Sequence, residues 1–315
     1  MKSDTPTGGS IVLRIRPSIV VVLALTACGE RAPAPPAQPG AAAVPVTLEV
    51  AKNLTYGGVM DTSFTLTEGR YERSPTDSAP GDRALVQLAD RLYAIRDFTG
   101  DGVADGAFLL VANGGGSGVF TYLVGVSGRN GTPKSIYTAL LGDRSMVRSL
   151  SATDSGVTVE YVVAGADDPA CCPTLNVRQV FPMHGDTLVE VRTEELGRIS
   201  PADFAGEWRL AYIDFDEPVP DAPPVTAAFE AGRVAGNGGC NRYSGPFQVA
   251  PASLEVTTGP MVSTRMACEP AVMELEDRYL AALGGVMRWG WAQGMLALSY
   301  RTDSGTGTLL YRRQE

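Results

Sequence analysis

The alternation of apolar and polar positions divides the chain into three stretches. Near the N-terminus, residues 19–25 form an unbroken apolar run. It is about half the roughly 20 residues that a membrane-spanning helix needs. From about residue 47 to 195 the pattern is strand-like, with runs broken by turn residues. Residues 64–67 lead into a turn at Glu68 and Gly69 and on to 70–72, and residues 84–95 alternate around Leu85, Leu88, Leu92 and Tyr93. Residues 106–112 and 119–126 are apolar enough for buried strands. Residues 147–150 and 157–163 flank Asp154, Ser155 and Gly156, and residues 177–181 and 187–191 flank His184, Gly185 and Asp186. A period near 3.6 is hard to find there. Beyond residue 199 short strands continue, with one interruption. Val272, Leu275, Tyr279, Leu283 and Val286 recur at spacings of three and four, which predicts a helix. Pro270 suits its first turn, Glu269 suits its N-terminus, and Gly284 and Gly285 suit its end.

These patterns predict a mainly β (α+β) protein: an N-terminal antiparallel β-rich domain over residues 47–195, then an antiparallel β domain with one helix over 199–315. The 36 glycines among 315 residues agree with many turns. The net charge of −9 is dispersed along the chain, and no basic patch is present to meet phosphates, so nucleic acid is not an expected partner. No later segment approaches 18 continuous apolar residues.

Arg14 and Arg16 precede the apolar run, and Leu25, Thr26, Ala27 and Cys28 close it. A short apolar segment behind positive charge and ending in small residues reads as a signal, not a span. The four closing residues resemble the lipobox of bacterial lipoproteins. The resemblance implies removal of residues 1–27 and lipidation of Cys28. Residues 29–46 of the segment 28–46, rich in Ala and Pro, would form a semi-rigid spacer reaching roughly 55 Å if fully extended at about 3.1 Å per residue. Gly29, in place of Asp after the cysteine, implies by the same resemblance the periplasmic face of the outer membrane.

Gly236, Gly239, Cys240, Asn241 and Gly245 fall in the pattern G-x-x-G-C-N-x-x-x-G. Gly206, Trp208 and Leu210 give G-x-W-x-L ahead of it. Arg265, Met266, Ala267 and Cys268 follow, with Leu309, Leu310 and Tyr311 near the close. This set resembles the META domain, which also occurs in the heat-shock protein HslJ. The resemblance implies a compact antiparallel β fold with one helix and carries no settled biochemical activity. Cys240 and Cys268 each sit in a signature element, which suggests a disulfide between them; two buried thiols acting as small hydrophobes are the alternative.

Five cysteines are present. With Cys28 reserved for lipid, the even remainder fits an oxidising compartment. Cys171 and Cys172 are adjacent, so a bridge between neighbours or two free thiols are both open readings, and a redox sensor remains an option. The spacings do not suit zinc. Asp97, Thr99, Asp101 and Asp105 resemble the D-x-D-x-D-G-x-x-D calcium loops, with Gly102 at the sixth position. Thr99 is a weaker ligand than Asp, and Phe108 stands where a bidentate Glu belongs. The flanks read as strands, which favours an Asp/Gly turn held by side-chain to backbone hydrogen bonds over a weak calcium site. No other cofactor is expected.

The glycine-rich residues 113–118 lack the lysine and following helix of a phosphate loop, so a hairpin loop is expected. His184, the only histidine, is expected in a solvated turn. Arg265 with Glu274 and Glu276 could form surface ion pairs worth under about 1 kcal/mol. The expected function is a non-enzymatic, lipid-anchored envelope protein with a binding or envelope-stress role. The partners are then the membrane, through the lipid, and an unknown envelope protein. A carrier of a small apolar ligand or lipid and a lysozyme-inhibitor-like protein are the alternatives. A sizeable apolar cavity inside residues 204–312 would favour the carrier; a filled core there would not.

Overall fold

The structure is a computed structural model that describes residues 43–74, 83–169, 171–185, 187–190 and 192–314. Cys28, with the rest of the signal and most of the spacer, lies outside the described residues. Gly40–Glu315 is one compact unit. It is mainly β, with antiparallel pairing throughout the described strands.

The strand Asp105–Asn113 shows why its sequence runs apolar without alternating. It sits inside a six-stranded sheet, between Ala84–Leu88 and Phe120–Ser127. Ala107 and Leu109 face one core, shared with Val157, Val159 and Phe181 of a second, five-stranded sheet. Phe108, Leu110 and Ala112 face another, closed by Tyr56, Phe64 and Ala51. A strand buried on both faces has no polar positions to alternate with.

Several N-terminal elements are absent from the sequence pattern, the two-residue strand Thr55–Tyr56 and the 3-10 turn Arg129–Gly131 among them. Helix α1, Leu48–Lys52, is a single turn whose N-cap Thr47 accepts a hydrogen bond from Val50 N–H. It is too short to show a period. The strand Lys134–Asp143 is half-buried along most of its length, and Arg192–Arg198 is an almost fully exposed strand pairing with Leu175–His184. Neither places apolar side chains on one face only, so neither alternates. The run 84–95 also breaks in two, Ala84–Leu88 and Ala94–Arg96, around a turn at Asp90 and Arg91.

The C-terminal part is a ten-stranded sheet. Its main path runs Val256–Thr258, Arg242–Val249, Arg233–Asn237, Thr226–Glu230, Gly206–Ile213, Gly305–Arg313, Met295–Thr302 and Val286–Ala292. Trp208, Tyr279, Leu296 and Tyr311 are buried in a core crowded with aromatic rings; Phe204 alone packs on Phe229, Phe247 and Trp289. Each such side chain contributes roughly 1.5–3 kcal/mol by leaving water. Helix α2, Pro270–Gly284, lays Tyr279, Ala282 and Leu283 on this core. It begins at Pro270 after N-cap Glu269, as its sequence suggests, and ends where Gly285 N–H bonds Ala281 and Ala282 carbonyls. Gly285 is needed for space: a Cβ there would stand 2.2 Å from the Arg301 carbonyl oxygen.

Val162, from the N-terminal part, belongs to the core of the C-terminal part, and Met146 and Cys172 pack against it. The tip of the last hairpins crosses the other way: Gly294 N–H donates to Val147 O at 3.1 Å, and Gln293 Oε1 accepts from Arg91 N–H at 2.9 Å.

Candidate functional site

The glycine-rich bend of residues 236–241 is locked onto helix α2 by one carboxylate. Glu276 is 5 % exposed. Its Oε2 accepts from Cys240 N–H at 3.1 Å and Asn241 N–H at 2.6 Å, and its Oε1 from Asn241 Nδ2 at 2.7 Å. The opposite face of Asn241 is equally occupied, since its Oδ1 accepts from Met266 N–H and Thr264 Oγ1. The glycines make room for this. A Cβ on Gly238 would lie 2.6 Å from Glu276 Oε2, and one on Gly236 would lie 2.0 Å from Thr226 O. Gly239 takes φ +113, which other residues rarely adopt. Cys240 and Cys268 stand at disulfide distance, with S–S 2.04 Å and Cα–Cα 5.9 Å.

Glu276 corrects the ion-pair expectation for Arg265. It is a buried acceptor of backbone and amide hydrogens, not a surface partner, while Glu274 and Arg265 are exposed. The sequence signal for this was its place on the buried face with Val272, Tyr279 and Leu283, where a carboxylate has to find donors.

Below the bend lie three buried phenols. Tyr243 OH donates to Thr226 O at 2.8 Å, Tyr243 and Tyr279 hydroxyls are 2.6 Å apart, and Tyr311 OH reaches Tyr279 OH at 3.2 Å. Burial pushes all three well above the ordinary tyrosine range, so they remain protonated hydrogen-bonding groups.

The Asp97–Asp105 segment is a turn between strands, as its flanks suggest. Asp97 Oδ1 accepts from Gly100 and Asp101 N–H, and its Oδ2 from Gly102 N–H. Asp101 Oδ1 accepts from Val103 N–H, and Asp105 Oδ2 from Phe98 and Thr99 N–H. Among the described residues no three histidine, cysteine or acidic side chains gather to hold a metal ion, so Asp97, Asp101 and Asp105 do not converge as a trio. Phe108 is fully buried in the core and is no ligand.

The sulfurs of the adjacent Cys171 and Cys172 stand 2.33 Å apart. They lie at the seam: Arg288 Nη2, from the C-terminal sheet, reaches Cys172 Sγ at 3.4 Å. The preceding turn is tied by Asp168, which accepts from Gly165 N–H, from Thr174 N–H and Oγ1, and from Arg198. Burial pushes this carboxyl up, but the hydrogen bonds override it and hold it at about 2.

Residues 113–118 form a hairpin loop in which Asn113 Nδ2 donates to Gly116 and Gly118 carbonyls. His184 is exposed at a strand end, paired with Thr187.

The C-terminal part carries a hollow of about 500 Å³ against Phe204, Phe229, Phe247 and Val249, and a larger one lies elsewhere. A cleft of about 890 Å³ opens between the first sheet and the last hairpins of the C-terminal sheet. Leu88, Leu109, Val111, Val147 and Trp291 supply apolar walls, and Lys52, Arg70, Arg91 and Arg144 stand among its lining with Glu68 and Asp90. Arg91 is held in place over the Tyr212 ring, 4.3 Å from its centroid, and donates to Phe215 O. Arg148 lies over Trp291 at 4.9 Å and donates to Asp203 Oδ1 at 2.8 Å. Periodicity could not reveal this cleft, because its walls come from strands far apart in sequence.

The META domain family matches residues 202–315. The chain therefore carries a C-terminal META domain, and the buried Glu276–Asn241 contact lies within it. A comparison with curated proteins gave no match. One similar solved structure, determined by NMR, is of a protein from Burkholderia xenovorans; it is 24 % identical, covers 42 % of this chain and 98 % of that one, and has a TM-score of 0.28. Among the described residues no helix is long and apolar enough to cross a membrane.

Proposed function

We propose that this chain is a non-enzymatic binding protein of the bacterial envelope. Cys28 anchors it by lipid to the periplasmic face of the outer membrane, and its ligand site is the cleft between the N-terminal β sheets and the META domain. The observation that carries the reading is the cleft itself: about 890 Å³, apolar at Leu88, Val111 and Trp291, with more basic than acidic side chains among its lining. That combination suits a small amphiphile, with an apolar body and an anionic head. The hollow inside the META domain, lined by Phe204, Phe229 and Phe247, is smaller, at about 500 Å³. The anchor rests on the Leu25–Cys28 motif and the charged, apolar segment before it.

The test is saturable binding of 1-anilinonaphthalene-8-sulfonate, an anionic amphiphile that fluoresces in apolar sites. Oleate should displace it, and Val111→Glu, which puts a charge on the cleft wall, should abolish it. Binding that neither saturates nor responds to Val111→Glu would overturn the reading. The anchor has its own test: a globomycin block should leave a larger, unprocessed chain.

A further inference from the structure

Five side-chain polar atoms among the described residues are buried without a hydrogen-bond partner, and three of them belong to one turn: Thr99 Oγ1, Asp101 Oδ2 and Asp105 Oδ1. Asp105 is the telling member. It is 0 % exposed, its Oδ2 is satisfied by Phe98 and Thr99 N–H, and its Oδ1 has no donor. The same two N–H bonds fix its carboxyl against the backbone of residues 98 and 99. A buried carboxylate oxygen without a donor is costly, and such groups in native proteins are met by a proton, a water or an ion. Asp97 serves another purpose: its three bonds to Gly100, Asp101 and Gly102 N–H set the loop conformation. Arg129 Nε stands 3.6 Å from Asp101 Oδ2, an ion-pair distance too long for a hydrogen bond.

We propose that Thr99, Asp101 and Asp105 bind a hard divalent cation, calcium, through these three oxygens. All are hard donors, two carry charge, and calcium accepts irregular oxygen sets completed by backbone carbonyls and water. With two carboxylates and no bidentate Glu, the affinity belongs in the weak range of extracellular modules, a Kd of about 1 mM. The site is independent of the amphiphile cleft, so either proposal stands or falls alone.

The experiment uses the full chain in a nonionic detergent, stripped with EDTA. Calorimetric titration with calcium chloride should give a saturable heat, and about 10 mM calcium should raise Tm by about 3 °C over sodium chloride of equal ionic strength. Asp101→Asn keeps an oxygen for Val103 N–H, so it should melt like the parent in EDTA while losing the calcium shift. Thr99→Val is the second variant and should weaken the shift without abolishing folding. A parent chain with no calcium-specific heat or shift, satisfied by water or Arg129 alone, overturns the proposal. So does an Asp101→Asn chain that keeps the full response.

Discussion

Glu276 on helix α2 holds Asn241 twice, by its backbone N–H at 2.6 Å and by its side-chain amide at 2.7 Å. The contact joins residues far apart in sequence and fixes the glycine-rich bend to the helix. Removing the carboxylate leaves the Cys240 and Asn241 N–H groups buried with nothing to meet them. Glu276→Ala should therefore lose about 2–4 kcal/mol of stability in urea unfolding. Glu276→Gln, which keeps one acceptor oxygen, should lose less. An alanine variant within about 0.5 kcal/mol of the parent would contradict this account.

The Cys240–Cys268 bond closes a loop across the same bend. Replacing both by serine should cost about 3 kcal/mol, because the unfolded chain regains the freedom the bridge removed. Non-reducing peptide mapping of the parent should yield a linked Cys240–Cys268 peptide. Its absence would remove the basis of the prediction.

Asp168 gives a pH dependence with a definite sign. Its folded carboxyl is held at about 2, below the ordinary 3.8. A depressed value stabilises the fold above 3.8 and loses that contribution as pH falls toward 2. The Tm gap between the parent and Asp168→Asn should thus be constant at neutral pH and close progressively between pH 3.8 and about 2. A gap that does not change across this window would show that the hydrogen bonds to Asp168 do not discriminate its charged form.

The three phenols act at the opposite extreme. Burial raises Tyr243, Tyr279 and Tyr311 above the ordinary 10.0, so their contribution is intact below that pH and is lost as pH rises beyond it. Phenolate absorbance from these residues should appear only together with alkaline unfolding. Tyr279→Phe, which takes away the hydroxyl between the other two, should cost about 1–2 kcal/mol. Early, reversible ionisation of all eleven tyrosines in the folded protein would contradict the buried cluster.

Much of the fold was legible in the chain. The helix at 270–284, the hairpin turns and the long buried strands each leave a local trace in spacing or turn chemistry. What escaped had no such trace: Arg192–Arg198 pairs through its backbone while nearly all its side chains face water, and α1 is one turn. Glu276 looked like a surface acid because charge usually means exposure, although its spacing puts it on the buried helix face; the N–H groups that meet it there come from a distant loop. The Asp97–Asp105 turn was readable as a turn, but the orphaned Asp105 oxygen was not, since it depends on which N–H groups the folded backbone turns toward it.

Val162 and the Gly294–Val147 bond give the META boundary a different meaning. The family match begins at residue 202, yet the core it encloses is finished by a valine forty residues earlier in the chain. A cut at that boundary would expose apolar surface on both fragments. The two halves therefore pack as one body and not as interchangeable cassettes: a META domain transplanted here from another chain would need a matching recess for its last hairpins before it could seat.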